Sequence, residues 1–388
     1  MLAPALIPLL FQMGRGLGNT GFVLLWLVML GICLKQRIWK APAWSASGIL
    51  WLMFLAWGAY SAAVSIAPEA ALESWLRYGL IGSLFFLTVR VMQYADMPDI
   101  DWLLRGIGWI GLLSFGWLLG HTLLTYDIPG FKPEFNLRGL VPAYLAPFVL
   151  YLISCRMTGT VRVVTMGVYS VVLAVLLVHA NSLTELLALA AALSVLIVMR
   201  IATLRARLGL LACMLAAVVA LILVFDPAGK LLLSTEETPA GQSQQGDWLQ
   251  LADRLSSQRT LIWRQAVAMP PPLPWLGVGP GNVSEYPPVQ MGEHGSVKHL
   301  HNLLLDVWYE IGFVGLALYL ALLWSQFRVA LRYRNPLSRP VLFAVTAAIL
   351  SASLIEQSYR SYHLALFLPF VFALFGSAPG TRISRRRV

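Results

Sequence analysis

Side chains able to do chemistry crowd into one part of this chain of 388 residues. Lys298, His299, His301 and Asn302 stand almost side by side, Asp306 and Glu310 follow, and Arg259 and Arg264 lie upstream. Imidazole titrates near neutral pH and can take up a proton. Guanidinium presents fixed, permanently charged donors that match phosphate oxygens. The two histidines are two residues apart, about 200° around a helix, so they share no face if both are helical. A zinc site needs further His, Cys or carboxylate ligands at suitable positions, which this spacing does not supply, and no metal is expected.

From His301, positions Leu305, Trp308, Gly312 and Gly315 follow at helical steps and form one stripe. Gly312 and Gly315 lack side chains and would let another helix approach closely, holding His301 at the outer mouth of a span. Asn302, Asp306 and Glu310 line a neighbouring face, and carboxylates at such depth are costly unless they meet a polar cavity or partners. Two readings stay open on these residues alone: an interfacial histidine with solvated acids, or a polar constellation that works on a substrate. The basic residues of the preceding segment favour the second.

Membrane helices must position these groups. Hydrophobic residues make up 58% of the chain and charged residues 12%, with mean hydropathy +0.72. Average soluble domains carry roughly 45–50% and 25%, so a soluble globule is excluded, as are disordered and disulfide-scaffold classes. A span needs about 20 apolar residues. Hydropathy predicts spans at 20–34, 44–66, 74–92, 101–125, 139–155, 160–179, 183–200, 206–225, 301–325, 339–357 and 361–377, with a shorter one at 2–13. That first segment has no basic n-region or small-residue cleavage site, so it does not read as a removable signal peptide. The expected fold is an all-α polytopic membrane protein of about 12 transmembrane helices, nine in 1–225 and three in 301–377, with a basic tail at 378–388.

With the N-terminus inside, 18 of the 28 basic residues fall on inside segments, as orientation by Lys and Arg requires. Both termini are therefore expected to be cytoplasmic. The formal charge of +10 reports topology, not a nucleic-acid partner. Cys33, Cys155 and Cys213 fall in predicted spans without metal or CxxC spacing and read as small buried apolar residues.

Residues 226–300 form the one large extramembrane loop, too long to be a simple connection. Asp247 is expected to cap a short helix there, and Ser256 or Ser257 a second that Pro270, Pro271 and Pro272 stop. Both helices are expected to lie on the outer rim of the bundle. Between Pro274 and Asn282, three glycines and two prolines dictate tight turns. Without a preceding strand or a Gly-Lys-Ser/Thr ending this is no phosphate loop, and the glycosylation sequon at Asn282 reads as a chance match.

These stretches resemble the O-antigen ligase family and its relatives, the O-antigen polymerases and the protein O-oligosaccharyltransferases. Ser257, Gln258, Arg259, Thr260, Leu261, Ile262 and Trp263, followed by PWLGVGPGN, are similar to the family's loop segment of an Arg, a Trp and a Pro-Trp/Leu-Gly-x-Gly turn. His301 and Asn302, then nine residues, then Gly312 and Gly315 are similar to its ligase signature. The twelve-span layout with a large loop after the ninth span also fits. At the start of span eight many relatives carry a Ser-Arg pair, where this chain reads Asn181, Ser182, Leu183, Thr184 and Glu185. The phosphate-binding Arg expected there is absent, and Arg138 and Arg360 are candidate substitutes.

The resemblance implies periplasmic transfer of a finished glycan from undecaprenyl diphosphate to lipid A-core, in the inner membrane of a Gram-negative bacterium, without a cofactor. Under it, His301 is the expected base for the acceptor hydroxyl and Arg259 the clamp on the diphosphate, with Arg138 and Arg360 as further diphosphate contacts. His299, Asn302, Asp306 and Lys298 are candidate acceptor contacts or supports. Arg264, about 140° further round the helix from Arg259, is expected to snorkel or to pair with an acid. A polymerase or protein transferase of the same superfamily is the alternative. A lipid or polysaccharide transporter is the alternative of another class, although its ionisable residues would be expected at mid-membrane in two matching halves.

Overall fold

The computed structural model describes residues 15–35, 46–94, 100–125, 140–179, 183–200, 259–286, 299–332 and 338–354. Within them the chain forms helices and no strand. These are α1 (Arg15–Lys35), α2 (Ala46–Ala63), α3 (Pro68–Tyr94), α4 (Ile100–Thr125), α5 (Leu140–Arg156), α6 (Gly159–His179), α7 (Leu183–Arg200), α8 (Arg259–Ala268), α9 (Leu303–Arg332) and α10 (Ser338–Ser353). Nine expected spans coincide with α1 to α7, α9 and α10. The short helix α8 ends just before Pro270, where the prolines were expected to stop it. The spans expected at 2–13, 206–225 and 361–377, the helix after Asp247 and the basic tail lie outside the described residues, as does Cys213.

Segments Asp101–Leu124, Gly159–Leu177 and Leu303–Ser325 are long and apolar enough to cross a membrane, and five further helices are shorter but apolar. On α6, Val161, Val163, Val164, Val168 and Val171 are all exposed. Such a face would be an aggregation liability in water but suits lipid, and this is a helical membrane protein. By contrast α5 is buried on all sides from Val141 to Ile153, as a helix apolar all round should be. It packs against α4, α6, α7 and α10. The approach of α4 relies on Gly108 and Gly111, since a Cβ on Gly108 would lie 2.7 Å from the Phe148 carbonyl oxygen, and one on Gly111 2.6 Å from Val149 Cγ2. Cys33 is buried, but Cys155, at the end of α5, is exposed, contrary to expectation, because the last turn of that helix emerges from the core.

A cluster of rings ties α2, α3 and α9 together. Phe54 on α2 lies 5.6 Å from Trp75 on α3 and 5.5 Å from Tyr319 on α9, centroid to centroid. The same face of α2 continues through Trp57 and Ser61 to the candidate site. Four chain segments converge there: the turn after α2, the first turn of α7, the start of α9 and the end of α10. Each hydrogen-bonds to α8 or to residues 274–302.

Candidate functional site

The site is built on an interrupted helix. At Gly312, φ is 73° and ψ −178°, so α9 breaks in its upper part. A continuous helix would send the Phe313 N–H to the Tyr309 carbonyl. Here that N–H donates to the Pro274 carbonyl at 2.9 Å, while Tyr309 and Glu310 carbonyls accept from Val278 and Gly279 N–H groups, also at 2.9 Å. The Ile311 carbonyl accepts from the Trp57 indole at 3.0 Å. Ser61 Oγ donates to the Leu276 carbonyl at 2.6 Å and reaches the Glu310 carbonyl at 3.3 Å. Backbone polar groups left unpaired in a membrane cost several kcal/mol each, and the glycine-rich turn with α2 takes up those freed by the break.

This arrangement corrects the expected role of the glycine pair. What approaches Gly312 is the backbone of residues 275–276, not another helix, and the atoms nearest to a Cβ on Gly315 would be those of Ile311 on its own helix. The stripe from His301 to Gly315 is accordingly not one continuous helical face. On the loop side, Gly277, Gly279 and Gly281 all have positive φ, which permits the close approach; a Cβ on Gly277 would lie 2.4 Å from the Glu310 carbonyl carbon. A small second core closes around the loop, formed by Ile262, Ala266, Val278, Val283, Leu300, Trp308 and Tyr309. The Tyr309 hydroxyl also donates to the Met269 carbonyl at 2.9 Å, just past the end of α8.

The two histidines precede α9 and are not helical. His301 has φ 54°, the left-handed region, which costs a residue with a side chain about 1–2 kcal/mol. The rings of His299 and His301 come to 4.2 Å between centroids with planes tilted by 49°. Neither histidine is helical, so the separation that a helix would impose on them does not apply. Leu300 between them is buried. Its N–H donates to Asp306 Oδ1 at 2.7 Å, and its carbonyl accepts from the Trp263 indole N–H at 2.9 Å. Asn302 caps α9, with Oδ1 accepting from the Leu304 and Leu305 N–H groups at 3.0 and 3.1 Å. Its Nδ2 donates to the Leu354 carbonyl at 2.9 Å, past the end of α10. Asp306 and Glu310 are both buried and not solvated.

Arg259 opens α8, and its Nη1 donates to Thr184 Oγ1 at 3.4 Å in the first turn of α7. That is the place where the family resemblance led an Arg to be expected and the chain reads Leu183, Thr184 and Glu185. A guanidinium therefore reaches the spot from another element, next to a helix N-terminus that also favours negative charge. Arg264 is half-buried further round α8. Lys298, Arg138 and Arg360 lie outside the described residues. Among the described residues no three of His, Cys, Asp and Glu converge as a metal cage requires.

Four contributors escaped the sequence reading. Asn282, set aside as a chance sequon, is buried, and its Nδ2 reaches Ser65 Oγ at 3.3 Å and the Ala67 and Val278 carbonyls at 3.3 and 3.2 Å. It fastens the glycine-rich turn to the connection between α2 and α3. Ser61 and Trp57 belong to a distant span, and no local signal marked them. Trp263 did stand in a quoted segment, but nothing there indicated its partner.

Comparison with curated proteins gives no match. Residues 168–320 match the sequence model of the family described as O-antigen ligase. The matched stretch contains Thr184, Arg259, Trp263, the glycine-rich turn, both histidines and the break at Gly312, and over it the chain is similar to the O-antigen ligase family.

Proposed function

We propose that the protein moves a finished glycan from undecaprenyl diphosphate to the outer core sugar of lipid A-core, at the periplasmic face of the inner membrane. The match of residues 168–320 to the O-antigen ligase family supports an integral membrane enzyme of the ligase and polymerase superfamily, acting on lipid-linked glycans. Twelve spans, cytoplasmic termini and a periplasmic site belong to the same proposal.

The acceptor hydroxyl is a very weak acid and the leaving group is a diphosphate, so transfer needs a positioned base and cationic donors. His301 takes the hydroxyl proton as the oxygen attacks the anomeric carbon. The bond from that carbon to the diphosphate oxygen breaks, and Arg259 meets the charge left on the lipid diphosphate. Arg138 and Arg360 are further proposed diphosphate contacts, and Lys298 an attractor of the anionic acceptor. His299 stands where it can contact either the acceptor or the His301 ring.

The observation that carries this reading is the hydrogen bond from Trp263 to Leu300. It joins the helix bearing Arg259, one turn before Trp263, to the peptide that leads into His301, so the two groups are held in one assembly. The test uses purified protein in liposomes with lipid-linked glycan, offered in parallel lipid A-core, a second lipid-linked repeat and a pilin-like protein. Product on lipid A-core is expected. Product on the second lipid-linked repeat alone makes the protein a polymerase.

A further inference from the structure

We infer that Trp263 and Asp306 are positioning residues that set where the His301 imidazole stands, by holding the two peptide groups on either side of Leu300 from two different helices. The inference deepens the reading of His301 as the base and rests on it. The Leu300 N–H belongs to the peptide joining His299 to Leu300, and Asp306 Oδ1 holds it at 2.7 Å. The Leu300 carbonyl belongs to the peptide joining Leu300 to His301, and the Trp263 indole holds it at 2.9 Å. Each histidine therefore leaves a peptide plane fixed by one side chain, one from α9 and one from α8.

The fixing matters because His301 occupies a backbone conformation that a residue with a side chain seldom adopts by itself. Downstream, Asn302 is held by its own cap to α9. With the planes on both sides pinned, the direction of the His301 side chain and its 4.2 Å approach to His299 are determined. Leu300 fills the second core beneath them and is wholly buried, so the peptide cannot rotate without lifting that side chain out. A proton acceptor works only at hydrogen-bond reach of its proton, and a displacement of about 1 Å can lower the rate by roughly a hundredfold.

Trp263 also stands four residues after Arg259, on the same face of α8. A general collapse of α8 would therefore disturb the diphosphate contact and raise the donor KM. Loss of the indole N–H alone should leave the donor KM unchanged and lower kcat.

The experiment measures transfer by the full-length protein in liposomes, with lipid-linked donor and lipid A-core. Trp263→Phe keeps a ring and removes the N–H, Asp306→Leu removes the acceptor oxygen, and Asp306→Asn keeps one. The expected result is a fall in kcat of about tenfold or more for Trp263→Phe and Asp306→Leu, with both KM values within about twofold of the parent, and substantial recovery in Asp306→Asn. Wild-type kcat in Trp263→Phe and Asp306→Leu overturns the inference. So does a parallel rise in donor KM with Asp306→Asn no better than Asp306→Leu. If Asp306→Leu does not assemble, Trp263→Phe, which keeps most of the buried ring, carries the test. His301→Ala is assayed alongside: full activity there removes the base reading itself, whereas an inactive His301→Ala beside fully active clamp variants removes only the positioning role.

Discussion

A Cβ atom on Gly312 would stand 2.1 Å from the carbonyl carbon and oxygen of Trp275. Residue 312 is thus where the loop backbone enters the broken helix, and its φ of 73° with ψ of −178° is open essentially to glycine alone. Gly312→Ala is expected to expel residues 274–279 from the break and to lower the thermal midpoint in detergent by on the order of 5 °C or more. Gly315→Ala should cost less, because its Cβ meets the flexible Ile311 side chain. Equal effects of the two substitutions would show that the loop does not depend on this contact.

The Ile311 carbonyl freed by the break is met by Trp57 from α2. Trp57→Phe keeps the ring and leaves that carbonyl without its indole donor, at an expected cost of about 1–3 kcal/mol. Ser61→Ala, which removes the hydroxyl on Leu276 and Glu310, should cost about 1 kcal/mol. Equilibrium unfolding of both single variants and the double variant measures this. Strict additivity would argue against a shared role in closing the break.

Asn282 holds the glycine-rich turn to residues 65 and 67. Asn282→Ala should loosen that turn, destabilise the protein by about 1–3 kcal/mol and open residues 274–282 to limited proteolysis. An unchanged cleavage pattern would mean that the turn is held by its backbone bonds to α9 alone.

Arg259 is proposed to bind the donor diphosphate, so Arg259→Ala should raise the donor KM at least tenfold while leaving the acceptor KM unchanged. Arg259→Lys should recover only part of the loss, since an ammonium lacks the planar fork. Thr184→Val should act weakly, because the contact to Arg259 is long at 3.4 Å. Donor titrations read all three. Unchanged donor affinity in Arg259→Ala would pass the role to Arg138 or Arg360.

For the base, His301→Ala should lower transfer by about 10²–10⁴-fold while donor binding persists. His299→Ala should retain measurable transfer, as a neighbour of the reacting group. Equal loss in the two would make the facing pair, and not His301 alone, the functional unit.

The sequence by itself determined the membrane-helical architecture and the positions of nine helices, because hydropathy over about 20 residues is a local property that the bilayer reads directly. It also singled out Arg259, His301, Asn302 and the glycine pair as candidates, through residue types, spacing and the family resemblance, all of them legible along the chain. What those glycines do was decided elsewhere. At Gly108 and Gly111 a spacing of three serves helix packing, whereas at Gly312 and Gly315 the same spacing marks a broken helix filled by a loop. Spacing cannot tell these apart, because the difference lies in which distant backbone supplies the missing hydrogen bonds. The facing of His299 and His301 is of the same kind. It goes with the left-handed backbone of His301 beside Leu300, whose peptide groups bond to Trp263 and Asp306; these contacts, like that of Arg259 with Thr184, join segments that only the folded bundle brings together.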